Sequence, residues 1–423
     1  MDSDFQPRRR PAKPLQTADD QTETFQTPEV VAAQDELQHA ADGDQSAPAD
    51  DELPGINLSR RGKPPKKRRF LRRLHWPRTK KGWAALIIII LLLAGGGVFA
   101  WRHFHSKPAT LKPIPKVTNK SDTVPSTLTG LPVDPSVNQR TVTGVMIENS
   151  TDARPQSGLG QAGVVFEAVA EGGVTRFLAL YQDTAPDNLG PVRSARPYYV
   201  QWNLGFDAGY AHVGGSPDAL NDIKAWHVRD LDQFSNAGAY HRISSRAAPH
   251  NVYTSIAALN QLEVDKGYTT SHYTGFARKA KAGPAKQPPT ARTIDLTLSG
   301  PTYNAHYDYN AKTNTYARSE GGAPQIDANT GKQISPTVVI ALVMPYSLGA
   351  LDSSGAYYSQ YGTIGSGTAY IFQDGGVTTG QWTKTSMTSQ FTFTDSSGKT
   401  IKLDPGYTWL TAVSGTDRVS YAP

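Results

Sequence analysis

From Thr141 onward the chain alternates short apolar runs with Gly, Pro and Asn, the punctuation of a folded region. Residues 142–147, 164–169, 175–181 and 210–213 predict strands, and the second and third of these flank the turn residues Glu171, Gly172 and Gly173. Helical spacing predicts helices over 198–204, 217–226 and 255–266; the middle one has Ser216 placed to cap it and Pro217 in its first turn. Strands interleaved with helices predict a mixed α/β core over 139–276. Residues 292–423 read differently. They carry β-prone runs at 293–298, 338–343, 369–372, 390–393 and 408–413, turn residues at 374–376 and 395–398, and almost no helical period. This predicts a smaller, mainly β domain. The Lys-, Ala- and Pro-rich residues 277–291 read as the linker between the two.

One run breaks the pattern. Residues 83–101 (WAALIIIILLLAGGGVFAW) are 19 positions without a charge, and at about 1.5 Å per residue they reach across a bilayer core of roughly 30 Å. Tryptophan stands at each end, and residues 60–81 before the run hold 12 Lys/Arg and no acid. The sequence therefore predicts an N-terminal transmembrane helix, single-pass in the cell membrane, with the N-terminus cytoplasmic and the C-terminal domains extracytoplasmic. The basic juxtamembrane segment 60–82 is expected to hold anionic lipid head groups. Residues 1–59 are acidic and poor in large apolar side chains, the composition of a disordered cytoplasmic arm. The Pro-rich residues 102–138 read as a stalk.

Charge and composition then narrow the function. The net charge of +6 suggests a nucleic-acid partner until it is divided along the chain. Residues 1–52 hold 4 Lys/Arg against 13 Asp/Glu, residues 53–121 hold 17 against none, and residues 122–423 hold 22 against 24. The folded part is almost neutral, so no nucleic-acid partner is expected. The absence of cysteine excludes disulfides, thiolate metal sites, catalytic thiols and lipid attachment through cysteine. Residues 158–163 spell GxGxxG but lead into a strand instead of a helix, and residues 396–399 spell SxxK inside a predicted turn, so neither carries its usual chemistry. His212 and His250, with Asp218 or Glu171, lack metal-ligand spacing; no metal and no cofactor are expected.

Residues 148–251 concentrate charge at the edges of predicted strands, and the candidate ligand-binding residues lie there: Arg154, Glu171, Arg176, Arg193, Arg196, His212, Ser216, His250 and Asn251. Three readings stand open. Glu148 and Glu167 could pair internally with Arg176, Arg193 or Arg196. Alternatively, Arg154, Arg193 and Arg196 grip an anionic or polyhydroxylated ligand in a polar cleft. In the third, Glu148 and Glu171 form a general acid/base pair for glycan cleavage. The turn at 212–216 (HVGGS) also offers backbone N–H groups to an anion where the following helix starts. The expected role is a binding protein of the cell envelope, with a cell-wall glycan or an envelope protein as partner; the rival is an envelope glycan hydrolase.

Residues 144–149 (GVMIEN), 153–159 (ARPQSGL), 171–177 (EGGVTRF), 190–196 (GPVRSAR), 212–216 (HVGGS) and 249–251 (PHN) together resemble the YerB-like lipoprotein family, a family of unknown function. Residues 365–367 (GSG), 380–384 (GQWTK) and 405–409 (PGYTW) resemble that family's second domain, so the resemblance covers roughly residues 130–420. It implies an extracytoplasmic two-domain protein whose first domain is a layered α/β sandwich. It implies no catalytic residues, since the family has no established activity. Many members carry a lipobox cysteine; this chain has none and offers a transmembrane helix in its place.

Overall fold

The computed structural model describes residues 123–423. The arm, the basic segment and the span expected at 83–101 lie outside the described residues. Among the described residues, no helix is long and apolar enough to cross a membrane.

The first half folds in the expected order with one added strand, β5: β1 (Thr143–Glu148), β2 (Val164–Glu171), β3 (Val174–Tyr181), α1 (Pro197–Leu204), β4 (Gly209–Ala211), α2 (Pro217–Ala225), β5 (Arg229–Asp230) and α3 (Ile256–Asp265). Ser216 and Ser255 cap α2 and α3, accepting from the N–H groups of Ala219 and Ala258. The β2–β3 turn places Gly172 and Gly173 at φ of 55° and 79°, a region where side chains with a Cβ are strained.

The second half supplies β6 (Thr293–Leu296), β7 (Ala305–Asn310), β8 (Thr315–Glu320), β9 (Ala323–Pro324), β10 (Val338–Val343), β11 (Tyr346–Leu351), β12 (Tyr357–Tyr361), β13 (Gly365–Gln373), β14 (Gly376–Lys384), β15 (Thr392–Thr394), β16 (Thr408–Val413) and β17 (Val419–Ala422). Two short ladders, Val124–Pro125 with Pro132–Val133 and His241–Arg242 with Val252–Tyr253, complete the strands.

The expectation of an α/β layer followed by a separate smaller β unit needs one correction. The two halves share a 12-stranded sheet with the order β15-β14-β13-β10-β16-β2-β3-β1-β4-β5, and the β11–β12 hairpin branches from β2. The join is β16 lying parallel to β2, with Trp409 opposite Val165 and Leu410 opposite Phe166. The remaining strands form a five-stranded sheet, β9-β8-β7-β6-β17. Val164, Phe166, Leu178, Ile340 and Leu410 pack with Tyr198, Tyr199 and Trp202 of α1. Val165, Phe177, Val339 and Trp409 pack with Ile294, Tyr307 and Tyr316 of the small sheet and Ile256 and Leu259 of α3. The shared sheet is thus covered on both faces, which is why β2, β3 and β10 read as nearly unbroken apolar runs.

Two expected connectors are also part of the packing. Leu128 and Val137, assigned to the stalk, are buried. In the expected linker, Arg278 donates to the carbonyls of Asp404 and Leu128, and Lys279 lies 2.7 Å from both Asp374 and Asp404. Their apolar and ionic anchors make these segments straps across the joint sheet.

The GQWTK run is architectural. The Trp382 indole N–H donates to the Val343 carbonyl, and the buried Lys384 ammonium donates to the carbonyls of Ser386, Met387 and Ser389 at 2.8, 2.6 and 2.7 Å. Burial pushes Lys384 down to about 8. Lys384→Met leaves three carbonyls without their donor and is expected to cost about 1–3 kcal/mol. Denaturant unfolding measures that loss, and faster amide exchange confined to residues 385–389 would locate it; unchanged exchange there would contradict the assigned role.

Candidate functional site

The ends of β1, β2, β3 and β4 bring together most of the expected residues. β1 and β2 finish at Glu148 and Glu171, and Arg176 on β3 stands opposite Glu148 in register. Residues 191–195 run alongside as an extra rail. The Arg193 N–H donates to the Met146 carbonyl, the Glu148 N–H to the Pro191 carbonyl, and the Ala195 N–H to the Gly214 carbonyl. Arg193 and Arg196 are held against the strand ends by this backbone pairing.

One group centres on Glu171. Arg176 donates to one of its carboxylate oxygens; Arg196 donates to the other through Nε at 3.0 Å and Nη2 at 2.5 Å. Arg176 also donates to the Ser194 carbonyl and Arg196 to the Ala195 carbonyl, while the Arg196 guanidinium lies 4.8 Å from the Tyr358 ring centre of β12. Burial alone would raise the Glu171 carboxyl, but Arg176 and Arg196 outweigh it and hold it below the ordinary carboxylate range. This is a closed ion-pair network.

The second group centres on Glu148, which is 3% exposed. Its Oε1 lies 2.8 Å from His250 Nδ1, 2.9 Å from the donating Ser150 hydroxyl and 3.2 Å from Arg193 Nε, the last without hydrogen-bond alignment. Its buried Oε2 has no protein partner. The terminal Nη nitrogens of Arg193 make no hydrogen bond or ion pair among the described residues, although the side chain is only 25% exposed. Burial pulls Arg193 below its ordinary range; Glu148 opposes that and Arg176 adds to it. His250 sits on a loop that Arg246 ties to the carbonyls of Asp152 and Pro155. Asn251 is occupied in the same loop, accepting from Arg242 and donating to the Arg246 carbonyl.

The other expected residues are engaged elsewhere. Arg154 donates to Asn149 and to the Thr302 carbonyl, and lies 3.3 Å from Glu320 of β8. His212 is fully buried, with Nδ1 2.7 Å from the Gly214 carbonyl and Nε2 3.0 Å from Asp230. Its ring therefore fastens β4 to β5 and presents nothing to solvent. Ser216 is spent on capping α2. The carboxylate Glu167, a candidate for pairing with Arg176, Arg193 or Arg196, pairs instead with Arg318 of β8 at 2.8 Å. Sequence reading missed Ser150, Arg318, Glu320 and Tyr358. Arg318 and Glu320 had a signal, because they share the inward phase of β8 with Tyr316.

A groove of about 810 Å³ lies between residues 272–277 and the β14–β15 edge and has no Asp, Glu, Lys or Arg in its lining. A smaller hollow of about 300 Å³ adjoins the Arg196 end, lined by Pro197, Tyr198, Gln201, Asp218, Asp222 and Ser359 to Tyr361. The charged strand ends have the stronger chemical claim, since an arginine with free terminal nitrogens marks them and the larger groove holds no carboxylate, lysine or arginine. Among the described residues no group of three His, Asp or Glu is placed to hold a metal ion.

Residues 128–269 match the family described as "Protein of unknown function (DUF3048) N-terminal domain", and residues 294–410 match its C-terminal domain. The "Putative lipoprotein YerB" of Bacillus subtilis (strain 168) is 31% identical over 311 residues, covering 71% of this chain and 92% of that protein. A crystal structure of YerB from Bacillus subtilis, 28% identical, superposes with a TM-score of 0.63 over 71% of this chain and all of that one. Matched in both domains, in sequence and in fold, the chain belongs to the DUF3048 family of YerB-like proteins.

Proposed function

We propose that this chain is an extracytoplasmic, envelope-associated binding protein that takes an anionic, hydroxyl-bearing ligand, such as an acidic glycan, at the Glu148–Arg193–His250 group. One observation carries the reading: Arg193 is half-buried against Glu148, yet its two terminal nitrogens face no protein acceptor. A guanidinium stays charged at neutral pH and its fork matches the oxygens of a carboxylate or phosphate, so an anion would complete its coordination. Of the three arginines expected to grip a ligand, Arg154 and Arg196 are already taken up by protein acceptors. The envelope placement is supported by the lipoprotein designation of YerB and by the uncharged run at 83–101. In this reading that run anchors the chain with its N-terminus inside, and residues 60–82 rest on anionic lipid. The carboxylate-pair hydrolase gains no support, because Glu171 is held ionised by two arginines and is a poor proton donor.

Titration calorimetry with inorganic phosphate and with an acidic oligosaccharide tests the site. Arg193→Gln should weaken binding at least about tenfold, roughly 1.4 kcal/mol, with the fold retained but somewhat less stable, because His250 and the Ser150 hydroxyl still face Glu148. Undiminished binding in that variant would remove the basis of the proposal.

A further inference from the structure

We infer that His250 is a general base acting on a phosphodiester bound at Arg193, a reading that rests on the anion site proposed above and adds a reaction to it. Glu148 and His250 are arranged as an orienting carboxylate and a base. The carboxylate is buried and lies 2.8 Å from Nδ1, so in the neutral ring the hydrogen sits on Nδ1 and the lone pair on Nε2. The charged group near Nε2 is Asp152, at 3.8 Å and mostly in solvent, beyond hydrogen-bond reach. An imidazole held at one nitrogen by a buried carboxylate and open at the other is the arrangement that takes up a proton and stabilises the resulting cation.

Arg193 restricts the substrate to an oxyanion, and among oxyanions a phosphodiester carries its hydrolysable bond on the charged group itself. The Arg193 Nε and the His250 Nδ1 converge on the same Glu148 oxygen, so the guanidinium and the imidazole stand at one carboxylate. Two parallel N–H donors suit the two non-bridging oxygens of a phosphodiester. Ser150 does not supply the nucleophile. Its hydroxyl donates to Glu148 and lies 3.2 Å from Nδ1, on the side of the ring already in use. Water is the remaining nucleophile. It gives a proton to Nε2 as its oxygen bonds to phosphorus; the ester P–O bond breaks with its electron pair leaving on the alcohol oxygen, which receives the proton back from the imidazolium. One water is consumed, and one phosphomonoester and one alcohol form. Glu148 acts through His250 and is a positioning residue.

The full chain is assayed with bis(p-nitrophenyl) phosphate, following p-nitrophenol release, while inorganic phosphate binding and thermal unfolding are measured on the same preparations. Turnover by the unaltered chain is expected. His250→Ala should lower it by about 100-fold or more with phosphate binding retained, and added imidazole should restore part of the rate. Glu148→Gln should lower kcat with KM little changed, and Arg193→Gln should raise KM. Should His250→Ala fail to fold, His250→Gln takes its place. Phosphate binding without turnover overturns the general-base role and leaves the anion site standing; loss of both overturns the two together. Turnover undiminished in a folded His250 variant, or not restored at all by imidazole in His250→Ala, also overturns it.

Discussion

Arg318→Leu should destabilise the protein by about 3–5 kcal/mol, the usual cost of removing one partner from a buried ion pair. The side chain is fully buried, 2.8 Å from Glu167 Oε1, and it donates to Gln325 and to the Tyr307 hydroxyl. Its guanidinium also lies 4.5 Å from the Trp409 ring centre. Glu167 is equally buried, and its second oxygen accepts from the Trp409 indole at 2.9 Å. The pair therefore joins β8 of the small sheet to β2 and β16 of the shared sheet. Without Arg318, a carboxylate is left between the two sheets with no countercharge. Replacing both partners by apolar side chains removes that penalty, so Glu167→Leu combined with Arg318→Leu should recover most of the stability. Urea unfolding of the two single variants and the double variant gives the coupling directly. A single-variant loss below about 1 kcal/mol would mean that the pair is solvated and does not bind the sheets together.

That pair also marks the limit of what the sequence makes legible. β2 reads VVFEAVAE, and its apolar positions announce a strand covered on both faces. The exception, Glu167, announces a buried partner without naming it. The partner stands 151 positions away on a strand whose alternation, Tyr316, Arg318 and Glu320 inward, resembles a half-exposed surface strand. Where a strand has a buried face, local pattern marks its phase but carries no term for a contact across two sheets. For the same reason β16 is legible as a strand while its parallel pairing with β2, which fuses the halves, is not. The β11–β12 hairpin escaped altogether, because Tyr346, Leu348, Leu351 and Tyr357 are exposed apolar residues with no buried phase to read. At the site, the segments GPVRSAR and PHN were visible as charged punctuation. Which arginine keeps a free end was not, since that depends on how many acceptors surround each one after folding.

Glu263→Gln should make the protein's stability less dependent on pH between about 4.5 and 8. Glu263 on α3 is 1% exposed and faces β1, where the Thr143 hydroxyl donates to its Oε1 at 3.0 Å. Burial pushes its carboxyl from 4.5 up to about 8, against the smaller opposing pulls of the Thr143 hydrogen bond and Arg229. In the unfolded chain the group ionises near 4.5, so between these values the folded state holds a proton that the unfolded state has released. Unfolding then frees a proton, and raising the pH favours it. The contribution of Glu263 is fully present below about 4.5 and is lost as the pH climbs to about 8, at about 1.4 kcal/mol per unit. Glutamine keeps a carbonyl for the Thr143 hydroxyl and has no charge to gain. The variant and the unaltered protein should therefore match at pH 4, and by pH 8 the variant should be the more stable by on the order of 4 kcal/mol. Urea unfolding at pH 4, 6 and 8 decides the matter: equal slopes of stability against pH in the two proteins would show that Glu263 is already ionised in the folded state.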